Sequence, residues 1–330
     1  MIHISADFVK NATAGSQEFL WGNIFNSISR LGVPLFVMIS GALLLDEKRD
    51  TDIKTIFGKN IKNIVILFFL WSGIYAFVYY ILKPVFTGEN IDVEVFFSRI
   101  LLGHYHMWYL YMNVGLYMIT PFLRKFVKKE NKREVQLFLI LCVIFQFSRP
   151  VIQALCPYLS ICNVFMKVLD KFHLYFFSGY SAYYVLGWYL VNVGICEKKY
   201  KKLLYLFAAV ALGLVFFYVW KTGECKIGYN NLNIFILVYS AAVFYALYSM
   251  HVPSWMEQIE TKKKIVYLSG MSFGIYILHP FFIPIVSYIH IFIKNPALYL
   301  LCAFILAFMI SLLITYILSK ISLLRKAVRM

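Results

Sequence analysis

A chain of 330 residues that is 61% hydrophobic and 19% aromatic, with only 15% charged residues, falls outside soluble domains, where roughly a quarter of residues are charged. Its net charge of +16 is no nucleic-acid footprint, because the basic residues gather between apolar runs and no basic stripe interleaved with stacking aromatics follows one segment. The six cysteines, Cys142, Cys156, Cys162, Cys196, Cys225 and Cys302, form no CxxC and pair with no histidine at zinc spacing, so no metal site is expected.

Crossing a bilayer core takes ~20 mostly apolar residues in a helix. Nine stretches qualify, at 31–46, 61–82, 107–123, 135–155, 174–192, 203–220, 232–250, 265–289 and 297–319. They are apolar on both faces, which excludes the alternating strands of a membrane barrel. The expected fold is all-α, a polytopic integral membrane helix bundle of about nine transmembrane helices forming a single membrane domain over residues 1–330. No repeat of 20 to 50 residues and no matched pair of Gly/Pro-broken helices supports an inverted-repeat transporter.

Basic residues cluster on every second connection. Lys48, Arg49, Lys54, Lys59 and Lys62 form one group, and Arg124, Lys125, Lys128, Lys129, Lys132 and Arg133 the next. Lys198, Lys199, Lys201 and Lys202 follow, then Lys262, Lys263 and Lys264, then Lys320, Arg325, Lys326 and Arg329. The intervening connections carry few. Positive charge marks the cytoplasmic side, so the expected location is the cell membrane, with the C-terminus cytoplasmic and residues 1–30 extracytoplasmic. Met1-Ile2-His3-Ile4-Ser5 reads as the outer end of a span, as if most of a first helix preceded it, and lacks the charged and long apolar regions of a signal peptide.

Polar residues inside this apolar chain are the candidates for function. Asn26 to Gly41 places Arg30 at the mouth of a helix, either snorkelling to the interface or facing the bundle as an anion or sugar contact. Ser40 and Gly41 suit close helix packing. His104 and His106, two residues apart, point to different faces of a helix, which disfavours a shared metal. Trp108, Tyr109 and Tyr111 read either as an interfacial aromatic belt or as a stacking platform for sugar; Asn113, just inside, is the stronger polar candidate. Arg149, before Pro150, is either an interfacial anchor or a contact for a lipid diphosphate. His279 sits at the kink set by Pro280, as a hydrogen-bonded structural residue or a functional one, with Tyr276 and Ser272 three and seven residues earlier on its face.

Four passages together carry a resemblance: His3-Ile4-Ser5-Ala6; Asn26 to Gly41 with its R-x-x-VPLFVMISG core; His106-Met107-Trp108-Tyr109-Leu110-Tyr111 running on to Thr120-Pro121; and Ser272-Phe273-Gly274-Ile275-Tyr276-Ile277-Leu278-His279-Pro280. In this order they resemble the bacterial acyltransferase-3 membrane proteins, which O-acylate cell-envelope sugars, in the branch without a periplasmic domain. The resemblance implies a ten-helix family fold and an enzyme that moves an acetyl or other short acyl group from cytoplasmic acyl-CoA, acetyl-CoA above all, to a hydroxyl of an envelope polysaccharide or lipid-linked sugar. The family signature is an arginine, ten residues and a histidine. His3 matches the histidine, and the arginine would fall nine positions before Met1. A general base near neutral pKa suits that chemistry, so His3 is the expected base, with Asp7 at i+4 to orient it. Lys48, Arg49, Arg124, Lys125 and Lys128 are the expected contacts for CoA phosphates, although orientation in the membrane alone also accounts for them. Ser272, Tyr276 and His279 would line a path for acceptor or pantetheine, and Arg30, Trp108, Tyr111, Asn113 and Arg149 would meet the acceptor. The alternative within the family is a non-catalytic polysaccharide exporter or assembly protein. A proton-coupled transporter using His279 is the third reading.

Overall fold

A computed structural model of the chain describes residues 1–49, 52–174, 177, 179–195 and 197–329; Cys196 and parts of the 174–192 stretch lie outside these. Every one of the nine apolar stretches contains a helix. In chain order the helices are α1 (Ile2–Asn11), α2 (Gln17–Ser29), α3 (Gly32–Leu44), α4 (Ile53–Thr87), α5 (Val93–Leu102), α6 (Trp108–Phe126), α7 (Lys132–Leu155) and α8 (Ile161–Lys171). They continue as α9 (Ser181–Asn192), α10 (Lys198–Thr222), α11 (Ile234–Ser249), α12 (Ile259–Ser269), α13 (Ser272–Ser287), α14 (Pro296–Lys320) and α15 (Ser322–Val328). Six segments among the described residues are long and apolar enough to cross a membrane, and α11 is a shorter apolar helix.

Residues 1–30 are not among the nine apolar stretches. They form α1 and α2, and α2 runs almost directly into α3, so the apolar helical stretch begins at Gln17 and not at residue 31. Ser16 caps α2 by accepting from the Phe19 amide at 3.1 Å, which fixes where it starts. Large apolar side chains such as Phe36, Ile39 and Leu43 line one exposed face of α3, and Ile66, Phe69 and Leu70 do so on α4. Lipid is the solvent that accepts such faces.

The chain divides into two compact units, one of residues 1–51, 119–250 and 295–300, the other of residues 52–118, 251–294 and 301–330. In the first, α3 and α9 meet backbone to backbone. A Cβ placed on Gly187 would lie 2.0 Å from the Met38 carbonyl oxygen, and one on Gly41 would lie 1.8 Å from the Tyr184 carbonyl oxygen. This is the close packing expected of Gly41, with Gly187 as its counterpart.

In the second unit, Ile64, Leu67, Phe68, Trp71 and Tyr75 of α4 pack on Met107 and Leu110 and on Phe273, Ile277 and Leu278 of α13. Trp71 donates its indole N–H to the Ala327 carbonyl at 2.8 Å, which anchors α15. The 265–289 stretch is broken at Gly270 into α12 and α13, and Arg329 lies across the end of α12, donating to the Tyr267 carbonyl at 3.3 Å with its guanidinium 4.5 Å above the Tyr267 ring. The hydroxyls of Ser311 and Thr315 on α14 donate to the Ala307 and Ser311 carbonyls one turn back, so neither brings an unsatisfied group into the apolar helix.

Candidate functional site

In the first unit Asn23, Asn26 and Ser27 of α2, with Arg30 at its C-cap, share one face of a helix at i, i+3, i+4 and i+7. Asn23, Asn26 and Ser27 are fully or almost fully buried. Asn26 is the hub. Its amide donates to the Ile2 carbonyl at 3.2 Å and to the Ser5 hydroxyl at 3.0 Å, while its oxygen accepts from Arg30 Nε at 2.8 Å and Nη2 at 2.5 Å. The first turn of α1, which bears His3, is therefore held to Arg30 through one side chain. Around it, Asn23 accepts from the Ser27 and Tyr229 hydroxyls at 3.0 and 2.5 Å, its amide reaches the Phe216 carbonyl at 3.0 Å, and Tyr239 donates to the Ser27 carbonyl at 2.9 Å. The Arg30 guanidinium lies 4.6 Å above the Tyr229 ring.

His3 is half-buried in that first turn, and Asp7 follows one turn later on the same helix, exposed. Asp7 accepts from the Asn11 amide at 2.6 Å, so the carboxylate that spacing assigns to the imidazole is engaged by Asn11 in this arrangement.

The expected phosphate contacts also gather in the first unit. Arg124 Nη2 donates to the Asp46 and Arg49 carbonyls at 3.3 and 2.5 Å, and the Lys129 amide reaches Glu47 at 3.3 Å. These bonds join the Lys48/Arg49 turn to the end of α6, where Lys125 and Lys128 lie; Lys128 makes an exposed ion pair with Glu130 at 3.6 Å. Arg149, read from sequence as an interfacial anchor or a lipid-diphosphate contact, is paired with Asp170 at 2.6 Å and donates to the Phe145 carbonyl at 2.6 Å.

The second unit holds a cluster of histidines and aromatics. Gly103 ends α5 at φ +75° in a place where a Cβ would lie 2.9 Å from the Phe68 ring, so only glycine permits the turn that follows. That turn is closed by the Met107 amide on the His104 carbonyl at 2.8 Å and pinned by the fully buried Met107. His104 and His106 lie in it, not on a helix, and their Nδ1 atoms come to 3.1 Å, correcting the expectation that the two point apart. Tyr75 stacks on His104 at 4.3 Å and on Phe281 at 4.0 Å, and its hydroxyl donates to the Ile277 carbonyl at 2.7 Å. Tyr276 donates to the His106 carbonyl at 2.7 Å, and the His279 ring lies 5.7 Å from that of His106 with its Nδ1 2.7 Å from the Tyr276 carbonyl.

Tyr276 and His279 thus belong to this cluster. Ser272 is exposed at the first residue of α13, about one helical turn from Tyr276 and two from His279. Trp108 packs edge-on against Tyr109, and Tyr111, half-exposed, donates to the Leu101 carbonyl and packs on Phe68 at 4.6 Å. Asn113 places its Oδ1 in an enclosed position without a hydrogen-bond partner among the described residues. Tyr75, Tyr229 and Tyr239 are the residues that motif reading passes over.

Burial, with the charges of Arg99 and His279 adding to it, lowers the His104 imidazole from its ordinary 6.5 to about 4. Folded His104 stays neutral where the unfolded chain takes up a proton, so the folded state gains stability as pH rises from about 4 to 6.5 and loses it as pH falls through that window. Melting followed across that range is expected to be steeper in pH for the native protein than for His104→Gln. Parallel curves would show that another group governs it.

A bundle of apolar helices with buried polar clusters and exposed apolar faces defines a polytopic helical membrane protein. A family model described as "Acyltransferase domain" matches residues 1–316, and the chain belongs to this acyltransferase-3 family. No curated protein and no solved structure matches it. The protein is a membrane acyltransferase.

Proposed function

We propose that the protein transfers an acetyl or other short acyl group from acyl-CoA on the cytoplasmic side of the cell membrane to a hydroxyl of an envelope polysaccharide or lipid-linked sugar. His3 takes the hydroxyl proton as the oxygen attacks the thioester carbonyl. The tetrahedral adduct then expels the CoA thiolate, His3 returns the proton to sulfur, and the products are an O-acyl sugar and CoA-SH. Asp7 steadies the imidazolium when His3 becomes cationic. The basic side chains around Lys48, Arg49, Arg124, Lys125 and Lys128 receive the CoA phosphates.

The reading is supported above all by the fixing of the His3-bearing turn to the buried Asn26 through two hydrogen bonds, an arrangement suited to a preorganised base. Its test is CoA release and acyl transfer by purified protein, beside its His3→Ala variant, with acetyl-CoA and a panel of envelope sugars. Transfer to a sugar hydroxyl that depends on His3 is the expected result. Absence of CoA binding and of CoA release would favour the export or assembly reading.

A further inference from the structure

We infer that Arg30 seats an oxyanion, a phosphate or carboxylate carried by the acyl acceptor on its sugar or its lipid. The inference deepens the acyltransferase reading and rests on it for calling the carrier the acceptor. Arg30 lies within the apolar run Gln17–Leu44, half-buried, and its hydrogen bonds both end on one neutral oxygen, Asn26 Oδ1. A guanidinium has five N–H donors in a planar fork, so one amide oxygen leaves most of that fork unused. Among the described residues Arg30 has no ion pair. The titratable groups facing it are the phenols of Tyr229, Tyr239 and Tyr180 and the thiol of Cys225, all uncharged in their ordinary forms at neutral pH.

The magnitudes decide the sign of the missing partner. A cation over one aromatic ring gains less than taking the ion out of water costs, even after relaxation. Tyr229 and Asn26 therefore leave Arg30 short of a negative charge. An oxyanion offers two acceptor oxygens matched to the fork. A hydroxyl would add one neutral contact, and a cation would be repelled.

Other arginines mark the contrast. Arg149 has Asp170, and Arg124 is spent on backbone carbonyls that shape the basic turn. That basic cluster already matches the several phosphates of CoA, which leaves Arg30 for the other substrate. Through Asn26 it is tied to the turn that carries His3, so an anion held there is registered against the proposed base.

Binding to the full chain in detergent tests this without turnover. The probes are a polyprenyl phosphate, a glucuronate-containing oligosaccharide, a matched neutral oligosaccharide with the free polyprenol, and CoA. Wild-type protein is expected to bind one anionic probe at least ten-fold more tightly than its neutral counterpart. Arg30→Gln should erase that preference, Arg30→Lys should keep part of it, and CoA affinity should stay constant across all three. A winning polyprenyl phosphate places the anion on the lipid, and a winning glucuronate places it on the sugar. No anionic preference in the wild type, a preference that survives in folded Arg30→Gln, or a selective loss of CoA binding would overturn the inference. Should Arg30→Gln fail to fold, Asn26→Asp supplies an internal carboxylate to Arg30 and must abolish the preference; an unchanged preference there overturns it equally. Arg30-dependent anion binding in a protein that transfers no acyl group would leave the anion site standing and remove the enzyme reading.

Discussion

Replacing His3 with alanine is expected to lower acyl transfer about 10²–10⁴-fold, the usual contribution of a positioned general base, with CoA affinity and melting unchanged. The separation of effects follows from where His3 sits. Its turn of α1 is fastened by the Ile2 carbonyl and the Ser5 hydroxyl, both bonded to Asn26, and neither contact uses the imidazole. Ser5 and Asn26 are fully buried while His3 is half-buried, so truncating His3 leaves that fastening in place. Asp7→Asn should cost less, because Asp7 is exposed and in this arrangement bonded to Asn11, and its effect should appear as a shifted pH profile of transfer more than as a lost rate. Native turnover in His3→Ala would take His3 out of the mechanism.

The helices were legible because apolar run length reports membrane solvent directly, and each of the nine runs contains a helix. What surrounds them was less so. The start of the α2–α3 run was hidden because α2 mixes Asn23, Asn26 and Ser27 into its sequence, lowering its apparent hydrophobicity although all three are buried. The same residues carried an unread signal: with Arg30 they repeat at i, i+3, i+4 and i+7, the spacing of one helical face, and a polar face inside an apolar run marks a buried network. Its partners Tyr229 and Tyr239 lie about two hundred residues away in sequence, and nothing local announces them. His104 and His106 were misplaced because a helix was assumed where Gly103 turns the chain, and a turn reverses which side chains meet. Gly41 was readable as a packing glycine; its counterpart Gly187 emerges only from the pairing of α3 with α9.

That pairing sets the largest expected loss of stability. Gly187→Val should prevent α3 and α9 from closing, at a cost at or above the ~3 kcal/mol upper end of ordinary overpacking, because the obstruction is backbone and not a side chain free to rotate away. The new Cβ would stand 2.0 Å from the Met38 oxygen, far inside any real contact, and the branched side chain would add to it. Gly41→Ala meets the Tyr184 carbonyl at 1.8 Å and should destabilise in the same way. The two glycines share one interface, so the double variant should lose less than the sum, since helices already parted by one Cβ have room for the second. Gly213→Ala on α10 is the control: nothing lies within 4 Å of its Cβ, and removal of a helical glycine should leave stability unchanged or raised by up to ~1 kcal/mol. Thermal melting followed by size-exclusion fluorescence compares the four variants with the wild type. A Gly187→Val protein that melts like the wild type would mean that α3 and α9 are not in backbone contact.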